Sequence, residues 1–213
     1  MSLQQMFFAT SSKVSFSDNF NRANGSLGAN WTTVRNTLSI SSNQCYAAFN
    51  SKLNIAAYTG QFTRTNDQYV KIKLNSGSSN GTMHFMFRYT NNSSPCYVFY
   101  VYMPTGDFEW QYCSNAAAGP DNGPGSQSSL SLSDGDTLGI TISGTGSGVT
   151  MRVWQNPVAD APESASSWDG VGALVSPNYP GTALDPVGGS GVAIGSETAL
   201  GAVYLDDFYG GDI

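Results

Sequence analysis

The chain has 213 residues, enough to bury a sizeable core within one domain. Only 11% of them are charged, against about a quarter in an ordinary globular protein, and Glu occurs three times, a composition that starves helices. The nine basic residues are scattered singly under a formal net charge of −6, which excludes the basic stripe of a nucleic-acid surface.

From the N-terminus, residues 1–13 carry no basic residue before Lys13, and their apolar stretch, Met6 to Ala9, is shorter than a signal-peptide core. No secretory signal is expected, and these residues are assigned as an N-terminal extension, a candidate docking arm, ahead of a sandwich domain over 14–213. Period-two alternation then predicts strands over Val14 to Phe20, Leu38 to Ser42, Cys45 to Asn50, Gln68 to Asn75, Met83 to Thr90 and Cys96 to Met103. It continues over Asp107 to Cys113, Thr137 to Ser143, Val149 to Gln155, Gly191 to Gly195 and Ala202 to Phe208. Turn residues sit at the joints, as in Asn75-Ser76-Gly77 and Pro104-Thr105-Gly106, so consecutive hairpins and a mainly antiparallel, all-β fold follow. Two stretches interrupt the pattern, Ser114 to Ser133 and Asn156 to Gly189, and both read as long loops. No apolar run approaches the ~20 residues of a membrane-spanning helix.

Three cysteines, Cys45, Cys96 and Cys113, cannot all pair within the chain, and their spacing does not suggest zinc. Cys96 and Cys113 bracket a hairpin, which leaves open a cross-strand bridge or three reduced, buried thiols.

The opening DNFNRANGSLGANW (Asp18 to Trp31) resembles the start of concanavalin A-like lectin/glucanase domains, the laminin G-like jelly rolls of bacterial and phage-encoded proteins. QYVKIKLN, FRYT, CYVFYVYM, GDTLGITISG and the closing VYLDDFYGGD fall in the order such domains show. The resemblance implies an antiparallel two-sheet jelly-roll sandwich. It also implies a structural calcium tying the first strand to the last, for which Asp18, Asp206 and Asp207 are the candidate ligands. The competing reading of these acids is a cluster closing a turn before Gly210-Gly211.

Glucanases of this kind carry clustered carboxylates, commonly Glu-x-Asp-x-x-Glu, and none of the three Glu here is followed by Asp two positions on. The nearest substitute, Asp107 with Glu109, shares one strand face at roughly 7 Å, equally a solvated polar surface. A polysaccharide lyase would need a base and a uronate-neutralising cation, for which His84 and Arg88, both even-numbered on one strand, are the candidates.

Parity extends that face. Tyr97, Phe99, Val101 and Met103 on one strand and Phe108, Trp110 and Tyr112 on the next are assigned to the core, leaving Tyr100, Tyr102, Asp107, Glu109 and Gln111 on the opposite side beside His84 and Arg88. This requires a loop of two or four residues before Asp107. Trp154, opposite Val149, Met151 and Val153, is assigned as a further platform beside Arg152. Flat aromatic faces with bidentate polar groups suit sugars, so His84, Arg88, Tyr100, Tyr102, Glu109, Gln111 and Trp154 form the expected ligand site; tyrosines that only cover a half-exposed sheet are the alternative.

The expected function is a non-enzymatic surface protein of a phage-like virion, such as a decoration, fibre or tail component, with glycans and capsid or tail proteins as partners. The rival is a free extracellular glycan-binding module or polysaccharide lyase, with the Asn156-to-Gly189 loop walling a groove.

Overall fold

A computed structural model describes residues 13–47, 53–61, 65–75, 81–117, 128–169, 174–175, 191–198 and 204–213. Sixteen strands are found among them. The first eight are β1 (Ser15–Asp18), β2 (Gly25–Ser26), β3 (Trp31–Arg35), β4 (Leu38–Ser41), β5 (Gln44–Ala47), β6 (Leu53–Tyr58), β7 (Gln68–Leu74) and β8 (Gly81–Tyr89). Then come β9 (Cys96–Tyr102), β10 (Asp107–Cys113), β11 (Ser128–Ser129), β12 (Thr137–Ser143), β13 (Thr150–Gln155), β14 (Leu174–Val175), β15 (Gly191–Thr198) and β16 (Tyr204–Asp212). No helix among the described residues is long and apolar enough to cross a membrane.

The strands form two antiparallel sheets. One has nine strands, in the order β14-β13-β12-β7-β16-β5-β4-β2, with β1 also paired to β16; the other has seven, in the order β11-β10-β9-β8-β15-β6-β3. Alternation explains why they stack. Val70, Ile72 and Leu74 of β7 and Leu138, Ile140 and Ile142 of β12 face inward against Phe85 and Phe87 of β8, Tyr97 and Phe99 of β9, and Trp110 of β10. Each fully buried side chain of this size contributes roughly 2–3 kcal/mol. The fold is the all-β, antiparallel jelly-roll sandwich expected from the sequence.

Five strands lie outside the ranges expected from the sequence: β2, β11 and β14, of two residues each, and β3 and β6. β6 is buried at all six positions and so lacks alternation, and β3 has only five residues. Between β9 and β10, Met103 to Gly106 form a four-residue turn that sets Tyr102 opposite Asp107 and Tyr100 opposite Glu109, one of the two loop lengths the parity argument required. Cys96 and Cys113 are likewise cross-strand partners, and all three cysteines are buried free thiols.

Two bulges redirect side chains. In β8, Met86 pairs with Ala193 and Tyr89 with Gly191, so Phe87 and Arg88 stand opposite Val192 alone, and Arg88 takes φ 57°. In β16, Asp206 pairs with Lys73 and Tyr209 with Lys71, which sets Asp207 (φ 45°) and Phe208 opposite Ile72. Leu205 and Phe208, three apart, therefore both enter the core.

Residues 1–12, 170–173 and 176–190 lie outside the described residues, and with them the docking arm and most of the second half of the Asn156-to-Gly189 loop, of which Leu174–Val175 pairs with β13 as β14. The first half of that loop, 156–169, lies on the outer face of the nine-stranded sheet.

Candidate functional site

The outer face of the seven-stranded sheet carries a continuous register row. Arg35 pairs with Ile55, Ile55 with Gly195, Gly195 with His84, His84 with Tyr100, and Tyr100 with Glu109. Gly195 is glycine for a reason of space, since a Cβ there would lie 2.7 Å from the Asn54 carbonyl oxygen and 3.4 Å from the His84 Cβ.

At the β9 and β10 end of this row the polar groups converge. The Tyr100 hydroxyl donates to Glu109 Oε2, and Gln111 Nε2 donates to Glu109 Oε1 at 2.9 Å. The Tyr100 ring lies 5.7 Å from the His84 imidazole. Burial drives the Tyr100 hydroxyl above its ordinary pKa, and its bond to the Glu109 carboxylate adds to the shift, so it remains a donor. Burial likewise pushes His84 down to about 4, with the Arg35 charge adding to the effect, so the imidazole is neutral at pH 7. One pleat further along, Tyr102 is 46% exposed, the one large aromatic that this face offers openly among the described residues.

Of the seven side chains expected to form the ligand site, His84, Tyr100, Tyr102, Glu109 and Gln111 lie on one face of the seven-stranded sheet. Arg88 does not. Its bulge turns it away from His84 toward the other sheet, where its backbone N–H donates to Gln68 Oε1 (2.7 Å), its Nε to the Asn66 carbonyl (3.0 Å), and its guanidinium lies 5.4 Å from the Tyr97 ring centre. The base-and-cation pair that a lyase reading needs is thus separated.

Trp154 is not an open platform either. It projects from the outer face as parity requires, but of the nine-stranded sheet, and it is fully buried beneath the 156–169 segment, with Trp168 5.6 Å away and in contact with Tyr69 as well. Lys71 holds this cover down by donating to the carbonyls of Val158 (2.7 Å) and Ala159 (2.9 Å) and to Asp160 Oδ1 (3.2 Å). Arg152 and Thr141 both donate to the Ala165 carbonyl. The described half of the loop therefore seals one sheet instead of walling a groove over the Tyr100 face.

The acids proposed for calcium do approach one another, since Asp18 pairs with Phe208, the neighbour of Asp207. Their chemistry does not fit a cation. The Asp18 carboxylate already accepts from Arg22 Nη1 and Nη2 (both 2.8 Å), from Trp31 Nε1 (2.7 Å) and from the Phe20 amide (2.8 Å). A guanidinium thus already engages both oxygens that Asp18 would have to offer a metal. Asp206 accepts from Asn75 Nδ2 and the Asp207 amide, and no group of three acid, His or Cys side chains suited to a metal exists among the described residues.

The fold is that of the concanavalin A-like lectin/glucanase jelly rolls. The chain is similar to a legume lectin-like domain from Entamoeba histolytica, with TM-score 0.53 and 11% identity over 86% of this chain and 90% of that one. It is similar to a β-1,3-glucanase from Mycobacterium marinum, with TM-score 0.50 and 12% identity over 91% and 96%. It also resembles the Emp46p carbohydrate recognition domain, with TM-score 0.51 and 7% identity over 85% and 88%. No protein-family model matches the chain, and no curated protein matches it by sequence.

The sequence reading passed over Arg35 and Gly195, which complete the row beneath His84. Neither leaves a local signal, because the burial of β3 does not alternate and the pairing of β15 with both β8 and β6 is long-range.

Proposed function

We propose that this sandwich is a glycan-binding adhesion module whose ligand lies on the Tyr100–Tyr102 face of the seven-stranded sheet. The observation that carries the reading is the fixed Tyr100–Glu109–Gln111 network beside the exposed Tyr102 ring. The ring supplies a flat apolar surface for pyranose C–H groups, and the carboxylate and amide, already held by mutual hydrogen bonds, face hydroxyl pairs with little ordering cost. The likeness to lectin-like and carbohydrate recognition domains supports the fold on which such a face is built. A glycan array followed by calorimetry tests it. Tyr102→Ala is expected to weaken binding at least tenfold without moving the melting temperature, because the ring is exposed; unchanged affinity, or no glycan bound by the wild type, refutes the reading.

The finer proposal is that the module is displayed on a phage-like particle, in contact with capsid or tail proteins, for which a low-charge, Gly-, Ser- and Asn-rich sandwich is suited. A chain lacking residues 1–10 should remain folded and keep its glycan affinity while losing incorporation into particles. A wild-type chain absent from particles overturns the display reading alone.

A further inference from the structure

The outer face of the nine-stranded sheet holds a second candidate site, assembled where the cover of the 156–169 segment ends. Register places Ser17, Tyr209, Lys71, Gly139 and Trp154 in one row across β1, β16, β7, β12 and β13. Trp154, Gly139 and Lys71 lie under the segment, whereas Tyr209 is half-exposed just beyond it. Three hollows meet at this tyrosine. One of about 400 Å³ opens between Asp18, Arg22, Asn30 and Asp207; one of about 280 Å³ lies over Ser15, Ser17 and Ala161; and one of about 140 Å³ lies between Lys73, Thr137 and Asp160. Asp207 borders the first and third, Ser17 the first and second, and Asp160 the second and third, so the hollows adjoin around a common centre.

The lining states which ligand it would accept. Arg22 is paired with Asp18, Lys71 with Asp160, and Lys73 stands opposite Asp206 in the ladder, so each of these cations already faces an acid. Asp207 borders two of the hollows, a surface that repels polyanions. What remains on offer is the outward side of the Tyr209 ring, which otherwise packs against the Tyr69, Trp154 and Trp168 cluster with the Lys71 ammonium 5.7 Å from its centre, together with the Asp207 carboxylate, the Asn30 amide and the Ser17 hydroxyl. That set matches a molecule with apolar C–H faces and many hydroxyls but no charge.

We propose that the hollows around Tyr209 form one groove that binds a short stretch of an uncharged saccharide, stacked on the Tyr209 ring and held through hydroxyls by Asp207 and Asn30. This goes beyond the reading of the Tyr100 face and does not depend on it, for the two sites lie on opposite outer surfaces of the sandwich. A chain with both could cross-link glycans as a single copy.

The test is an amide chemical-shift titration of the full chain with laminarihexaose, cellohexaose and xylohexaose, with polygalacturonate as the charged control. A neutral hexasaccharide is expected to shift Ser17, Asp207 and Tyr209, to do so equally in Tyr102→Ala, and to bind at least tenfold more weakly to Tyr209→Ala. Should Tyr209→Ala fail to fold, Asp207→Asn and Asn30→Ala decide, since Asn tolerates the positive φ at 207 and Asn30 is exposed; each should weaken binding about tenfold. Shifts confined to the Tyr100 face, stronger binding of polygalacturonate in the groove, or no response to any of the three neutral probes overturns the proposal.

Discussion

Asp18 and Arg22 meet as a two-pronged ion pair, each guanidinium Nη 2.8 Å from its own carboxylate oxygen, and the Trp31 indole closes on the same carboxylate from β3 at 2.7 Å. One acid of the nine-stranded sheet thereby anchors a tryptophan of the other. Burial alone would raise the Asp18 pKa, but the Arg22 and Trp31 bonds and the Phe20 amide outweigh it and hold the group below its ordinary 3.8. A carboxyl depressed in the folded state stabilises the protein above its unfolded pKa and loses that contribution as pH falls through the folded value. Asp18→Ala should cost about 2 kcal/mol at pH 7, allowing for the solvent-facing side of Arg22, and less as the pH is lowered below 3.8. Urea unfolding at pH 7 and pH 3 measures this, and an equal cost at both would contradict it.

The same pairing makes a prediction for metal removal. Because Arg22 occupies the carboxylate of Asp18, the melting temperature should move by less than about 1 °C between EDTA and millimolar calcium, well below the several degrees that a tightly bound ion produces. A calcium-dependent rise that disappears in Asp206→Asn or Asp207→Asn would show that the last strand binds a cation without Asp18.

His84 should give stability a second pH dependence. Its pKa falls from 6.5 to about 4 on folding, chiefly through burial, so the unfolded chain binds more protons between those values. Stability is therefore full above about pH 6.5 and declines as pH falls toward 4, by about 3 kcal/mol over the window. His84→Gln, which carries no titrating group, should flatten that part of the profile. A wild-type midpoint that is level between pH 6.5 and pH 4.5 would refute the assignment.

Gly139 makes room for Trp168. A Cβ at 139 would sit 2.7 Å from Trp168 Cζ3 and 2.9 Å from Pro157 Cγ, closer than carbon atoms pack. Gly139→Ala should lift the 156–169 segment, cost about 2 kcal/mol and red-shift tryptophan emission as Trp154 and Trp168 gain water. An unshifted spectrum with unchanged stability would show that the segment packs more loosely than the geometry implies.

Much of the fold is legible in the residues themselves. Alternation along β7 to β10, β12 and β13 specifies which side chains face the core, because a strand's side chains must point to opposite faces in turn. Parity alone therefore groups Tyr100, Glu109 and Gln111 on one face and assigns Trp154 to an outer one, and the folded chain agrees on both. Other features are decided only in three dimensions. Arg88 leaves the face that parity assigns it, and Asp207 breaks the alternation of β16, because each sits at a bulge with positive φ, a conformation imposed by pairing with distant strands and not signalled by Arg or Asp in the chain. Trp154 loses its exposure to Trp168, fourteen positions on, whose docking depends on Gly139 in a third segment. Asp18 gives its oxygens to Arg22 and Trp31, a choice visible only once β3 lies beside the first strand's end. Local periodicity determines what a strand can present to either side. Which surfaces stay open depends on long-range contacts, since covering a face takes residues from elsewhere in the chain.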